Sequence, residues 1–278
     1  MFACKRFLFS SPDLTTLKFQ WQQDLQEDKM ECYMYDIFVV SPTEMLVCDI
    51  DQQKVKLVNS TAGGVVASVS VPGGPRRICR LSDGIAAVSL ATKKVQFIKL
   101  ERDSLTLDGV LNVNRDILGI TSLETCLVTS SFDPPCVEMI SVGGKVMYTL
   151  DNQKVGLELF KRPNFLTSSR DSCIYVTDCG TKTVTKLDNK LNMMRTYTDP
   201  SLHGILDIES ISRDQLLVCS ADNHNIVLLN TRTANTTILL GEQDGLKVPY
   251  ALTYCHTQRK LFIAPCDKTT HIQVYKLV

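Results

Sequence analysis

One short unit repeats along almost the whole chain, and this repeat restricts the fold more than any other feature. Its clearest copy, residues 173–197, reads CIYVTDCGTKTVTKLDNKLNMMRTY. An apolar β-branched run leads into a polar turn that contains glycine, and two further β-rich runs follow without a helical period. The pattern predicts three short strands joined by tight turns. Such a unit cannot bury both of its faces alone, so it must pack against others of its kind.

The sequence contains six copies of this unit. The apolar residue that precedes the turn recurs at Val47, Val88, Val128, Val176, Val218 and Ile263. An apolar residue of the following strand recurs at Val55, Val95, Val137, Val184, Ile226 and Ile272. Successive copies are roughly 40 to 48 residues apart, which is the period of four-stranded propeller blades. We therefore predict an all-β, six-bladed β-propeller that forms one domain over residues 14–278, after a flexible tail at residues 1–13.

The last repeat ends one strand short of a complete blade. Near the start of the chain, residues 16–22 alternate, with Leu17, Phe19 and Trp21 on one side. We expect this N-terminal strand to become the outer strand of the sixth blade, which closes the ring and covers an exposed sheet edge. Trp21 would then lie at the seam.

The strand and turn motif resembles the NHL repeat. The stretches that carry the resemblance are MLVCDIDQQKVKLVN from Met45, IYVTDCGTKTVTKLD from Ile174 and LLVCSADNHNIVLLN from Leu216, with further copies from Ile85 and Asp244. They are similar to the tripartite-motif (TRIM-type) NHL proteins that are expanded in molluscs and other invertebrates. The resemblance implies an NHL-type propeller that recognises substrates for a ubiquitin ligase, with a separate RING module supplying the chemistry.

Sequence motifs for catalysis and metal binding are missing. A RING or B-box module needs closely spaced pairs of zinc ligands, and neither the eleven cysteines nor the four histidines have that spacing. The chain also contains neither HExxH nor GxSxG. We therefore expect a non-enzymatic protein without metal or cofactor. Asp49 and Asp178 end second strands at equivalent positions, so we expect both to accept hydrogen bonds from turn amides.

Charge and hydropathy restrict the partners and the location. The formal net charge is zero, whereas a nucleic-acid-binding domain usually carries a basic excess or a basic stripe. No apolar run approaches the roughly 20 residues that cross a bilayer, and the first residues make a poor signal peptide. The scattered cysteines are typical of reduced thiols. We expect a cytoplasmic protein that does not bind a membrane.

In a propeller, the loops between blades and the turns between second and third strands emerge on one face. Blades two to four supply most of the bases on this face. We predict that a protein partner binds there through Arg76, Arg77, Lys93, Lys94, Arg115, Lys161, Arg162, Lys182, His203 and His224. Phe132 and Phe160 are the aromatic residues expected on this face. The long connection at residues 151–164 is expected to project as a surface loop.

Two alternatives to the protein-interaction scaffold stay open. The first is binding of single-stranded RNA, as some NHL propellers do, and the neutral charge counts against it. The second is a lactonase-like, metal-dependent hydrolase with calcium on the propeller axis. Blades five and six carry Ser220 and Pro265 at the positions of Asp49 and Asp178, which disfavours such a site.

Overall fold

The computed structural model describes residues 17–24, 32–156, 158–266 and 271–277. These residues form 24 β-strands, one short α-helix and one turn of 3₁₀-helix. Strand β1 (Leu17–Asp24) comes first and belongs to the last blade. The predicted tail at residues 1–13 lies outside the described residues.

The next 12 strands build the first three blades. Blade I contains β2 (Met34–Ser41), β3 (Glu44–Asp49), β4 (Lys54–Asn59) and β5 (Val65–Ser70). Blade II contains β6 (Pro75–Ser82), β7 (Ile85–Leu90), β8 (Lys94–Glu101) and β9 (Ser104–Asn112). Blade III contains β10 (Gly119–Leu123), β11 (Cys126–Phe132), β12 (Pro135–Ser141) and β13 (Val146–Asp151).

The remaining strands build the other three blades. Helix α1 (Asn152–Val155) leads to blade IV, which contains β14 (Pro163–Ser168), β15 (Ile174–Asp178), β16 (Thr183–Leu187) and β17 (Met193–Tyr197). Blade V contains β18 (Ile205–Ser212), β19 (Gln215–Ser220), β20 (Asn225–Asn230) and β21 (Thr236–Leu240). After the 3₁₀ turn at Glu242–Asp244, blade VI contains β22 (Pro249–Cys255), β23 (Lys260–Pro265) and β24 (His271–Leu277).

Each blade is an antiparallel four-stranded sheet, and the six sheets form a six-bladed propeller. The inner strands are β2, β6, β10, β14, β18 and β22, and they contact one another in ring order around the axis. Blade VI has the order β1-β24-β23-β22, so the predicted closure by the N-terminal strand is confirmed. In the pairing, Leu17 faces Leu277 and Asp24 faces His271. The side chain of Trp21 lies outside the described part of the chain.

The hydrophobic core lies between neighbouring blades rather than inside any single blade. One cluster joins Leu46 and Leu57 of blade I to Ile78 and Val88 of blade II. Because both faces of the middle strands pack against a neighbour, every residue of β15 is buried. Each large apolar side chain buried in this way contributes roughly 1.5–3 kcal/mol. The repeat therefore gains its stability by stacking, as the sequence predicts.

Asp178 connects two loops, which confirms its predicted role. Its Oδ1 accepts hydrogen bonds from the turn amides of Gly180 at 2.8 Å and Thr181 at 2.9 Å. Its Oδ2 accepts one from the amide of Lys161 at 2.8 Å, in the loop that enters blade IV. Asp49 similarly accepts from the amide of Gln52 at 3.2 Å.

The connection at residues 151–164 has exposed positions, such as residues 153–154 and 161–162, and a buried part that anchors it to the core. It begins with α1, whose N-terminus is capped by the side chain of Asp151. Asn152 then bonds to both backbone groups of Phe160, at 2.8 Å and 2.6 Å. The Phe160 ring is fully buried. The expectation that Phe160 lies on the exposed face is therefore wrong, because the ring packs into the core of blades III and IV.

The two opposite faces of the ring carry different loops, and we call them the loop face and the turn face. The loop face carries the connections between blades and the turns between second and third strands, such as residues 179–182. The turn face carries the tight turns between first and second strands and between third and fourth strands, such as residues 83–84 and 102–103. Among the described residues, no helix is long and apolar enough to span a bilayer. The described cysteines have free thiols, and most are buried.

Deleting residues 1–24 should prevent the ring from closing, because β24 would lose its outer partner and expose its backbone edge. We expect aggregation or a large loss of cooperativity in thermal unfolding. A deletion of residues 1–11, which keeps β1, is the matched control and should unfold like the full chain. Identical unfolding curves for both deletions would contradict closure by β1.

Candidate functional site at the propeller axis

The inner strands are irregular close to the loop face. The pairing register shifts in β2, β6, β14, β18 and β22, which is the pattern of a β-bulge. A bulge adds a residue and redirects nearby side chains. The amides at two bulges bond to hydroxyls of the second strand: the amide of Arg77 donates to Ser89 and that of Phe165 donates to Thr177, both at 3.1 Å. The bulges therefore redirect side chains without leaving these amides unpaired.

Arg77 lies at the axis and is only 3% exposed. Its Nη1 donates to Oδ1 of Asp36 at 3.2 Å. Its guanidinium carbon lies 3.6 Å from the ring centroid of Phe165, 5.0 Å from that of Tyr250 and 5.3 Å from that of Tyr35. Contacts of a cation with aromatic rings contribute roughly 0.5–2 kcal/mol each. We call these five residues the axial cluster, and they come from blades I, II, IV and VI.

Two buried carboxylates connect neighbouring inner strands. Oδ2 of Asp36 accepts a hydrogen bond from the amide of Ile78 at 2.8 Å, from blade I to blade II. Oδ2 of Asp207 accepts one from the amide of Leu252 at 2.7 Å, from blade V to blade VI. Burial raises the pKa of Asp36 to about 7, although the nearby charge of Arg77 opposes this shift. Burial also raises the pKa of Asp207.

A third carboxylate, Glu209, faces the axis two residues further along β18. Its Oε2 accepts a hydrogen bond from the amide of Tyr254 in blade VI at 2.7 Å. Burial raises its pKa well above the usual range of a glutamate. The axis therefore contains one buried guanidinium group and three carboxyl groups whose neutral forms are favoured by desolvation.

A cavity of about 270 Å³ lies on the axis below Arg77. Arg77, Asp36, Phe165 and Asp207 line the end near the loop face, and Arg80, Ser122, Ser168 and Ser210 line the end near the turn face. The cavity therefore runs along the propeller axis, parallel to the inner strands, and polar side chains of several blades line it.

The structure places Arg77 differently from the prediction. The sequence placed it on the exposed rim beside Arg76, but its side chain is buried in the axial cluster. The physical reason is the bulge between Pro75 and Ile78, which turns Arg77 toward the axis. Its neighbour Arg76 stays near the loop face, where it forms an ion pair with Asp116 at 2.7 Å.

The other predicted binding residues lie on the loop face, but several already have partners. Arg115 is ion-paired with Glu138 at 2.9 Å, and Lys161 with Glu158 at 3.3 Å. Lys93 is exposed, and Lys94 is half-buried. Arg162 and Lys182 are also exposed on this face. The structure therefore leaves Lys93, Arg162 and Lys182 as the most accessible of the predicted bases.

The two predicted histidines have separate environments. His203 lies between Lys182 and Asp222: its Nε2 is 2.5 Å from the Lys182 ammonium nitrogen, and its Nδ1 is 2.9 Å from Oδ2 of Asp222. Nδ1 of His224 accepts a hydrogen bond from the amide of Val248 at 2.9 Å. His203 therefore joins a charged cluster with one of the predicted bases, whereas His224 holds a loop in place.

Sequence reasoning missed the axial cluster. The signal was an aromatic or charged residue near the start of several inner strands, as in Tyr35, Arg77 and Tyr250. The repeat alignment was anchored on second strands, so it carried no information about these positions. Among the described residues, no group of three His, Cys, Asp or Glu side chains is placed to hold a metal ion. The lactonase-like alternative therefore stays a prediction, and the described residues offer no metal site for it.

No protein-family model and no curated protein sequence matches the chain. Solved structures are similar to it in fold. Selenomethionine-substituted virginiamycin B lyase from Staphylococcus aureus has a TM-score of 0.66 at 14% identity, over 94% of this chain and 100% of the lyase. A catalytically inactive histidine-to-alanine variant of that lyase with quinupristin has a TM-score of 0.66 at 13% identity, with the same coverage. A functionally unknown protein from Desulfotomaculum acetoxidans DSM 771 has a TM-score of 0.60 at 10% identity, over 80% of this chain and 73% of that protein.

Identities this low show a shared fold and leave function open. The six-bladed propeller that the NHL resemblance implies is confirmed. Membership of the NHL or TRIM-type family stays a prediction from the sequence motifs.

The raised pKa of Asp36 predicts how stability depends on pH. The fold favours the protonated carboxyl, so its contribution is complete below the unfolded pKa of about 3.9 and is lost as pH rises through about 7. The wild-type free energy of unfolding should fall between pH 5 and pH 8, and Asp36→Asn should remove a part of this fall on the order of 2 kcal/mol. Urea unfolding of the wild type and the variant at pH 5 and at pH 8 measures these free energies. Exposed Asp103→Asn is the control, and equal pH dependence in both variants would contradict the assignment.

Proposed function

We propose that the chain is a non-enzymatic recognition scaffold whose loop face binds an acidic segment of a protein partner. One observation carries this proposal. Phe132, at the end of β11, is 40% exposed, and the guanidinium carbon of Arg162 lies 5.8 Å from its ring centroid. An exposed aromatic ring beside an exposed arginine matches the residue types that dominate binding energy in protein interfaces.

The surroundings of this pair indicate the chemistry of the partner. Lys93 of blade II and Lys182 of blade IV are exposed on the same face, on either side of blade III. The paired bases Arg76 and Arg115 are already neutralised by Asp116 and Glu138. The accessible bases therefore lie on the blades on either side of Phe132, and they complement a partner segment that combines an apolar anchor with carboxylates.

The resemblance to TRIM-type NHL proteins extends the proposal. If the chain works as TRIM-type NHL proteins do, the partner is a substrate protein, and a separate RING protein supplies ubiquitin transfer. A RING-bearing protein among the captured partners would support this extension. Binding of single-stranded RNA is the competing function for the same face, because a base could stack on Phe132.

Replacing Lys93, Arg162 and Lys182 together by glutamate should abolish capture of the partner. Exposed substitutions usually change stability by less than about 0.5 kcal/mol each, so the fold should be retained. A matched control reverses three exposed bases on the turn face, Arg102, Lys190 and Arg213, which gives the same change in net charge. The measurement is affinity capture by the immobilised chain from lysate of the source tissue, with and without RNase treatment, and bound proteins are identified by mass spectrometry.

The control variant should capture the same protein as the wild type, and the loop-face variant should not. Equal capture by both variants would place the binding surface elsewhere. Salt distinguishes the two functions, because RNA binding falls steeply with added salt for each phosphate contact. Capture that disappears with RNase and at moderate salt would replace the protein-scaffold proposal by RNA binding.

A further inference from the structure

Another cavity lies in the seam between blades I and II. Its volume is about 420 Å³, within the range of about 300–1,000 Å³ that holds drug-sized ligands. Gly84, in the exposed turn between β6 and β7, is among its lining residues, so the cavity opens on the turn face. It therefore lies on the opposite side of the ring from the protein-binding surface around Phe132, and an inference about it does not depend on the proposed function.

A small residue in β7 leaves this cavity open. Ala86 lies two positions before Val88, which pairs with Ile78 of the inner strand, and it is buried against blade I. The same register gives the equivalent residues of the other blades, which are all larger, apolar and buried: Met45, Leu127, Ile174, Leu216 and Leu261. Each of them packs into the seam with the preceding blade. The seam between blades I and II therefore lacks the side chain that fills the other seams.

The walls of the seam cavity are largely apolar. Phe38, Val40 and Leu100 are half-buried and pack against the core of blades I and II, and Ile85 and Ala86 also line the cavity. An apolar group that leaves water for such a surface gains free energy. The body of a ligand that suits this cavity is therefore apolar.

One cation at the mouth of the seam cavity is available to a ligand. Arg80 lines the cavity and is exposed. Its Nη2 donates a hydrogen bond to the carbonyl of Val40, so the guanidinium group reaches from blade II to blade I. The side chain of Arg80 forms no ion pair among the described residues. Because a guanidinium group can donate several hydrogen bonds to one carboxylate, Arg80 can bind a carboxylate while keeping its bond to Val40.

The other charged groups at the mouth restrict the charge of the ligand. Glu101 is ion-paired with Lys99 at 2.7 Å. The side chain of Arg102 is 96% exposed, so it extends into solvent. Glu44 accepts a hydrogen bond from Ser41 at 2.8 Å and keeps its negative charge on the blade I side. A ligand with several negative charges would approach Glu44, so one carboxylate suits the mouth best.

We propose that the seam cavity binds a small amphiphilic monocarboxylate. Its apolar body lies against Phe38, Leu100 and Ala86, and its carboxylate pairs with Arg80. Alkyl and aromatic acids share this chemistry, and a probe of each kind distinguishes them.

Isothermal titration calorimetry of the full chain tests the proposal. The two acid probes are octanoate and 2-naphthoate. 1-Octanol and octylamine keep an apolar chain but replace the carboxylate, whereas acetate keeps the carboxylate without the chain. At least one acid should bind saturably with one site per chain, and more tightly than all three controls. Its binding should show a negative heat-capacity change, the mark of buried apolar surface.

Two variants test the two halves of the site. Ala86→Leu supplies the kind of residue that fills the other seams, so it should weaken binding of the acid at least 10-fold and raise the midpoint of thermal unfolding. Arg80→Gln should weaken binding of the acid by about 10-fold, the lower end of the usual loss of a hydrogen bond to a charged group, and leave the weaker affinity for 1-octanol unchanged. Arg213→Gln, which removes an exposed positive charge elsewhere on the turn face, is the matched control and should bind the acid like the wild type.

Circular dichroism and thermal unfolding establish that each variant is folded, and the ligand series on the wild-type chain does not depend on any variant. Three results would overturn the proposal. The first is the absence of saturable binding by both acids. The second is binding of 1-octanol, octylamine or acetate as tightly as the better acid. The third is unchanged affinity for the acid in a folded Ala86→Leu or Arg80→Gln variant.

Discussion

Polar bridges between neighbouring inner strands are the interaction on which the rest of this propeller depends. Blades stack through apolar side chains, and such contacts are not directional. The position of each inner strand is fixed instead by hydrogen bonds, such as those from the amides of Ile78 to Asp36 and Leu252 to Asp207. A carboxyl group buried between two blades stabilises only the arrangement in which its backbone partners are in place, because an unpaired buried polar group is costly.

The same constraint explains why the axis is a candidate binding site. Closing the ring brings six inner strands together, so polar side chains that bridge the blades also line a shared cavity. Arg77 illustrates both roles, since it stacks on Phe165 and bonds to Asp36 and also lines the axial cavity. The loop face is different in kind, because its side chains Lys93, Arg162 and Lys182 are exposed to solvent.

The sequence was sufficient for the architecture because the repeat is a property of strands and turns. The six copies, the closing N-terminal strand and the turn-binding role of Asp178 all follow from patterns within one repeat or at its ends. Arg77 was misplaced because a bulge of one residue decides whether a side chain faces the rim or the axis. Phe160 was misplaced because its burial depends on hydrogen bonds with Asn152, within a connection that has no counterpart in the repeat.

Native-state hydrogen exchange at two amides, Ile78 and Leu252, tests the central claim most directly. If bridges between blades hold the ring together, both amides should exchange only through global unfolding, as slowly as the most protected amides within β15. Their protection should then change with denaturant in parallel with global stability. Exchange of Ile78 and Leu252 through local opening, while β15 stays protected, would mean that the ring does not depend on these bridges.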